Sequence, residues 1–128
     1  MSKQARILII DDDPIVQQSC KRILAENYDV EVADTGQKGL AALETQSFHL
    51  ILLDLKLPDM QGMDILREAP DRFPDVPVII ITGYPSTESA EETKRLGAVH
   101  YITKPFTPDK IADAVRDVLR PEDLQGWL

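Results

Sequence analysis

The chain is poor in thiols, histidines and basic residues, and each shortage removes a class of protein. A single cysteine, Cys20, among 128 residues excludes an internal disulfide and accords with a reducing compartment. Its neighbours Val16, Ile23 and Leu24 point to core packing. No run approaches 18 apolar residues, so no segment reads as a membrane-spanning helix. The opening "MSKQARILII" lacks a long apolar region with a small-residue cleavage site, so no signal peptide is read and the cytoplasm is expected. Lys and Arg total 14 against 22 Asp and Glu, giving a net charge of −8 and a pI near 4.6. Such a chain offers no basic face for nucleic acid and suits a protein that attracts cations. What remains is ordinary for one globular domain: 43% hydrophobic and 28% charged residues.

Two kinds of segment alternate. "RILII", "VEVA", "HLILLD", "VPVIIIT" and "VHYIT" are short apolar runs bounded by turn residues, the pattern of buried parallel strands. Helical patterns lie between them. From Pro14 to Glu26, Val16, Cys20, Ile23 and Leu24 share a face, with Asp13 as N-cap. Gly36 to Gln46 carries Leu40 and Leu43. Gly62 to Arg72 carries Met63, Leu66 and Ala69, and Pro70 is expected to shorten it. Thr107 to Arg120 has the best apolar stripe, through Ile111, Ala114, Val115, Val118 and Leu119. The helix in "STESAEETKRLG" offers only Ala90 and Leu96 as anchors, which suggests an element free to move. Strict alternation predicts an α/β fold: a flavodoxin-like, doubly wound (βα)5 parallel sheet of order 2-1-3-4-5. Residues 1–120 are expected to form the domain and residues 121–128 a linker or tail.

In such sheets the binding crevice lies beyond the carboxyl ends of the strands, where the strand order switches. There the chain writes "IIDDDP". At ~4 Å and an effective dielectric near 20, each adjacent carboxylate pair costs on the order of 4 kcal/mol, so something must offset the repulsion. Strand one ends in Asp11 and Asp12, strand three in Asp54 and strand four in Thr82; Lys104 follows strand five. Three convergent carboxylates suit a hard divalent cation, best Mg²⁺, with Mn²⁺ as a substitute. Zn²⁺ would require His or Cys, and neither His49 nor His100 joins the cluster. A cation beside a carboxylate, a lysine and a hydroxyl is equipment for phosphoryl transfer through an aspartyl phosphate. Asp54 stands alone and is the best nucleophile; Asp13 is read only as a helix cap.

The chain resembles the receiver domains of two-component response regulators over nearly all of residues 5–120. "ILIIDDDP", "LLDLKLPDMQGMD", "IITGY" and "YITKPF" carry the resemblance, at intervals of 42 residues from Asp12 to Asp54, 28 to Thr82 and 22 to Lys104. It implies a non-enzymatic signalling domain in which Asp54 accepts a phosphoryl group from a histidine kinase or phosphotransfer protein. It further implies Mg²⁺ held by Asp11, Asp12, Asp54 and the backbone carbonyl of Lys56, with Thr82 and Lys104 on the phosphoryl oxygens. Tyr101 would turn inward on activation, and the bond before Pro105 would be cis. The fourth helix, fifth strand and last helix would form the switched face, open to a downstream effector domain or protein or to a second copy. Lys56 and Tyr84, two residues after Asp54 and Thr82, occupy positions that tune phosphoryl lifetime. Both are long enough to cover the site and offer no short carboxylate or amide to orient water. A phosphatase of the haloacid-dehalogenase type would need an acid where Lys56 stands and its nucleophile on the first strand. A dinucleotide-binding protein would need a Gly-rich loop where the aspartates stand.

Overall fold

The computed structural model describes residues 4–119. Within them the alternation is realised in full: β1 (Arg6–Ile10), α1 (Pro14–Leu24), β2 (Asp29–Ala33), α2 (Gly36–Thr45), β3 (Leu50–Asp54), α3 (Gly62–Arg72), β4 (Val78–Thr82), α4 (Thr87–Arg95), β5 (His100–Thr103) and α5 (Pro108–Val118). The strands form one parallel sheet in the order β2-β1-β3-β4-β5, a flavodoxin-like architecture. β3 and β4 are buried along their whole length, as expected for runs without polar alternation.

Alternate residues of each strand feed opposite faces. Ile7 and Ile9 meet Val16, Cys20 and Leu24 of α1 and Ile111, Ala114 and Val115 of α5. Leu8 and Ile10 meet Leu43 of α2 and Ile65, Leu66 and Ala69 of α3. Burial lifts the Cys20 thiol to about 12, helped by the nearby Asp11 carboxylate, so Cys20 is core packing. Asp13, Thr35, Ser86 and Thr107 cap α1, α2, α4 and α5 through their side-chain oxygens.

Five sequence expectations need correction. Pro70 does not shorten α3: it sits in the last turn, where one missing N–H is tolerated, and Phe73 N still closes on Ala69 O at 2.7 Å. The buried members of α3 are Ile65, Leu66 and Ala69, whereas Met63 is half-buried. In α4, Ala90 and the capping Leu96 are only half-buried, and the fully buried residue is Thr93. Its hydroxyl is satisfied inside the helix by donating to Ala90 O at 3.1 Å. A polar side chain can therefore occupy the seat where hydrophobic periodicity seeks an apolar one. The expected α1 turn beyond Leu24 is absent as helix, and β5 begins at His100, leaving Val99 exposed. The expectations for Arg120 and for the tail 121–128 lie outside the described residues.

Candidate functional site

The sheet register builds the site. Ile10 pairs with Leu53, Asp54 with Ile81, and Thr82 with Thr103. Asp11, Asp54, Thr82 and Lys104 therefore emerge side by side at the carboxyl edge. Carboxylate oxygens of Asp11, Asp12 and Asp54 lie within 4.8 Å of one another. Asp11 and Asp54 are buried and Asp12 is exposed. Lys104 Nζ lies 2.9 Å from Asp11 Oδ2 and 3.1 Å from Asp54 Oδ2, and its peptide bond to Pro105 is cis.

Local hydrogen bonds set each acid apart. Asp11 Oδ1 accepts from Asp13 N at 2.8 Å, while Gln17 of α1 reaches back to donate to the Asp11 carbonyl at 2.6 Å. Asp13 Oδ1 accepts from Ile15 N and is spent as the α1 cap. Asp54 Oδ1 accepts from Lys56 N at 3.2 Å and its Oδ2 accepts from Lys104. Thr82 Oγ1 accepts from Tyr84 N at 3.0 Å, and no acceptor for its own proton is found among the described residues.

The cluster is electrostatically overloaded. Among the described residues three carboxylates face one ammonium, and the buried Asp11 Oδ2 meets Lys104 Nζ at 2.9 Å and no other donor. Burial raises the Asp11 carboxyl above its ordinary value; hydrogen bonds from Asp13 and Lys104 oppose this, and the Asp54 charge reinforces it. Burial pulls the Lys104 ammonium down, but Asp11 and Asp54 outweigh it and the net shift is upward. Three carboxylates that share one ammonium form an all-oxygen donor set, which fits a hard divalent cation. The imidazoles are engaged elsewhere. His49 Nδ1 accepts from Arg6 N at 3.0 Å, and His100 Nε2 sits 3.0 Å from Asp117 Oδ2 on α5.

Lys56 and Tyr84 meet across the site, with the Lys56 ammonium 4.3 Å from the centre of the Tyr84 ring; Tyr84 is 69% exposed. Tyr101 is half-buried, its phenol 2.5 Å from Ser89 Oγ and 3.4 Å from Ser86 N at the start of α4. Two residues that sequence reading passed over also bear on the site. Gly62 admits no side chain, because a Cβ there would lie 2.1 Å from Asp54 O. Asp59, in the loop after β3, accepts from Gly36 N at 2.8 Å and Gln37 N at 2.9 Å. Those bonds, Gln37's first, hold its carboxyl below the ordinary range.

A sheet of this order thus carries acids, a hydroxyl and a lysine at its switch point. The model of the response regulator receiver domain matches residues 7–116, and the chain belongs to that family. The hydrogenase transcriptional regulatory protein HoxA of Cupriavidus necator is 33% identical over 125 residues, 97% of this chain and 26% of HoxA. This chain thus spans about a quarter of that relative's length. A CheY-like receiver domain protein from Methanospirillum hungatei is 39% identical with a TM-score of 0.89, covering 96% of this chain and 99% of that one. The BeF3-activated DrrB receiver domain of Thermotoga maritima is 30% identical with a TM-score of 0.84, covering 91% and 97% respectively. Among the described residues no helix is long and apolar enough to cross a membrane.

Proposed function

We propose that Asp54 is the phosphoacceptor of this receiver domain, loaded from a phosphohistidine on a histidine kinase or phosphotransfer protein. The carrying observation is the fixed Asp54 carboxylate, held at both oxygens beside Lys104 and the buried Asp11 carboxylate. The Asp54 oxygen forms a bond to phosphorus as the phosphorus–nitrogen bond breaks, and its electron pair stays on the leaving imidazole. Asp11, Asp12, Asp54 and the Lys56 carbonyl would hold Mg²⁺, with Mn²⁺ as a substitute. When bound, it supplies charge neutralisation for the phosphoryl oxygens. Lys104 moves its ammonium onto one of those oxygens, and Thr82 donates its free proton to another. Two oxygens that were repelled by the acids are thereby paired.

Thr82 and Tyr101 carry the state outward. Drawing the Thr82 hydroxyl toward the phosphoryl group pulls on Tyr84 N, and the loop to α4 follows. The weakly anchored α4 supports a shift of the α4-β5-α5 face, which is where an effector domain or protein, or a second copy, would read the signal. Lys56 over the Tyr84 ring, on the segments that follow Asp54 and Thr82, supports a shielded and long-lived phosphoryl group if the pair covers the approach of hydrolytic water. The net charge of −8 supports a domain that leaves DNA contact to an effector, with residues 1–120 the phosphoacceptor domain and 121–128 a linker. Its sequence character supports a cytoplasmic setting. Incubation with acetyl phosphate and Mg²⁺ should add one phosphoryl group, read by intact mass. Equal uptake in EDTA would refute the cation's role, and no uptake under any condition would refute the function.

A further inference from the structure

We propose that Asp59 is a positioning residue for the cation site: it clamps the loop between β3 and α3 onto the N-terminus of α2 and so holds the Lys56 carbonyl in place. The inference rests on the phosphoacceptor reading above, in which that carbonyl is a ligand.

The loop is closed at its base and pinned at its tip. At the base, Gly62 N donates to Leu55 O at 2.9 Å and Lys56 bridges Gln61 in antiparallel fashion. At the tip, Asp59 spreads its two oxygens over Gly36 N and Gln37 N, 2.8 and 2.9 Å away. These are unpaired first-turn donors at the positive end of α2, where a carboxylate is favoured. Beside it, Met60 lies over Gly36, where a Cβ would come within 2.5 Å of its Cγ and Sδ. Lys56 lies at this base, and its carbonyl has no side-chain rotamer to adjust. Its position follows the course of the loop together with the bridge to Gln61 and the bond from Lys56 N to Asp54 Oδ1. Helix α2 does not need Asp59 for its cap, because Thr35 Oγ1 already accepts from Lys38 N at 3.0 Å. The extra bonds act on the loop, and outer partners of this kind commonly alter metal affinity by 10–100-fold.

The test compares the wild-type chain with Asp59→Ala, Asp59→Asn and Thr35→Ala. Mg²⁺ affinity is measured by calorimetry at high ionic strength, where through-space attraction from an exposed carboxylate is screened. Hydrogen exchange over residues 55–61 and thermal melts accompany it. Asp59→Ala should weaken Mg²⁺ binding about tenfold and speed exchange across the loop. Asp59→Asn, which keeps one acceptor, should fall between, and it decides the matter if the Ala variant does not fold. Thr35→Ala should lower the melting temperature with Mg²⁺ affinity unchanged. Mg²⁺ affinity within about twofold of wild type in the Asp59 variants overturns the inference while leaving the phosphoacceptor reading intact. Failure of the wild type to bind Mg²⁺ overturns both.

Discussion

Replacing Lys104 by Met removes the one ammonium that, among the described residues, contacts the acidic cluster, while keeping most of its stem. The Nζ contacts at 2.9 and 3.1 Å are each worth about 5 kcal/mol of attraction at an effective dielectric near 20. Burying the lysine offsets part of that, and breaking a buried pair from one side commonly costs about 3–5 kcal/mol. A domain of ordinary stability, about 5–15 kcal/mol, would then sit near its lower limit. Urea melts in EDTA at pH 7 should show that loss, and millimolar Mg²⁺ should narrow the gap to wild type by taking over the ammonium's charge. Acid should narrow it too. The Asp11 carboxyl is raised above its ordinary 3.8, chiefly by burial. The folded state therefore holds that proton more tightly than the unfolded chain does. Asp11's contribution is fully present below 3.8 and is lost as pH rises through its folded value. Without Lys104 that value climbs further, because the ammonium that opposed the rise is gone, so the variant's deficit against wild type shrinks as pH falls. A loss below about 1 kcal/mol, indifferent to both Mg²⁺ and pH, would refute the picture of an overloaded, water-poor cluster.

Other substitutions probe single contacts. Gly62→Ala forces a methyl group against Asp54 O and should cost about 1–3 kcal/mol in urea melts, with slower phosphorylation because the backbone of Asp54 must move; wild-type behaviour would mean that α3 retreats freely. Tyr101→Phe removes the hydroxyl that pairs with Ser89 Oγ and accepts from Ser86 N and should cost about 1 kcal/mol, with faster hydrogen exchange confined to the start of α4. Tyr84→Ala and Lys56→Asn should each speed loss of the phosphoryl group, followed by intact mass over time, and unchanged decay in both would dispose of the shielding argument.

The topology was legible because it is written in the least ambiguous signals: five short apolar runs, each followed by a helical segment, four of those capped by a side chain. The site was legible for the same reason. Asp11, Asp12, Asp54, Thr82 and Lys104 stand at strand ends, so a correct strand order alone brings them to one edge. What escaped depended on contacts between segments with no periodic signature. Asp59 reaches the start of α2, 22 and 23 residues away, through a loop whose course no local propensity dictates. Thr93 is buried because its hydroxyl is satisfied within its own helix. Pro70 is tolerated because two further residues suffice to finish α3. The Gln17 amide on the Asp11 carbonyl and the stacking of Lys56 on Tyr84 are likewise products of side-chain reach.

The central claim, that Asp54 accepts the phosphoryl group, is tested most directly by locating the adduct. Wild type and Asp54→Asn, the latter nearly isosteric, are incubated with acetyl phosphate and Mg²⁺ and measured by intact mass, and the wild-type acyl phosphate is then mapped to a peptide after borohydride reduction. The account predicts one phosphoryl group on the wild type, at Asp54, and none on the variant. An adduct that persists in Asp54→Asn, or that maps to Asp11 or Asp12, would contradict it.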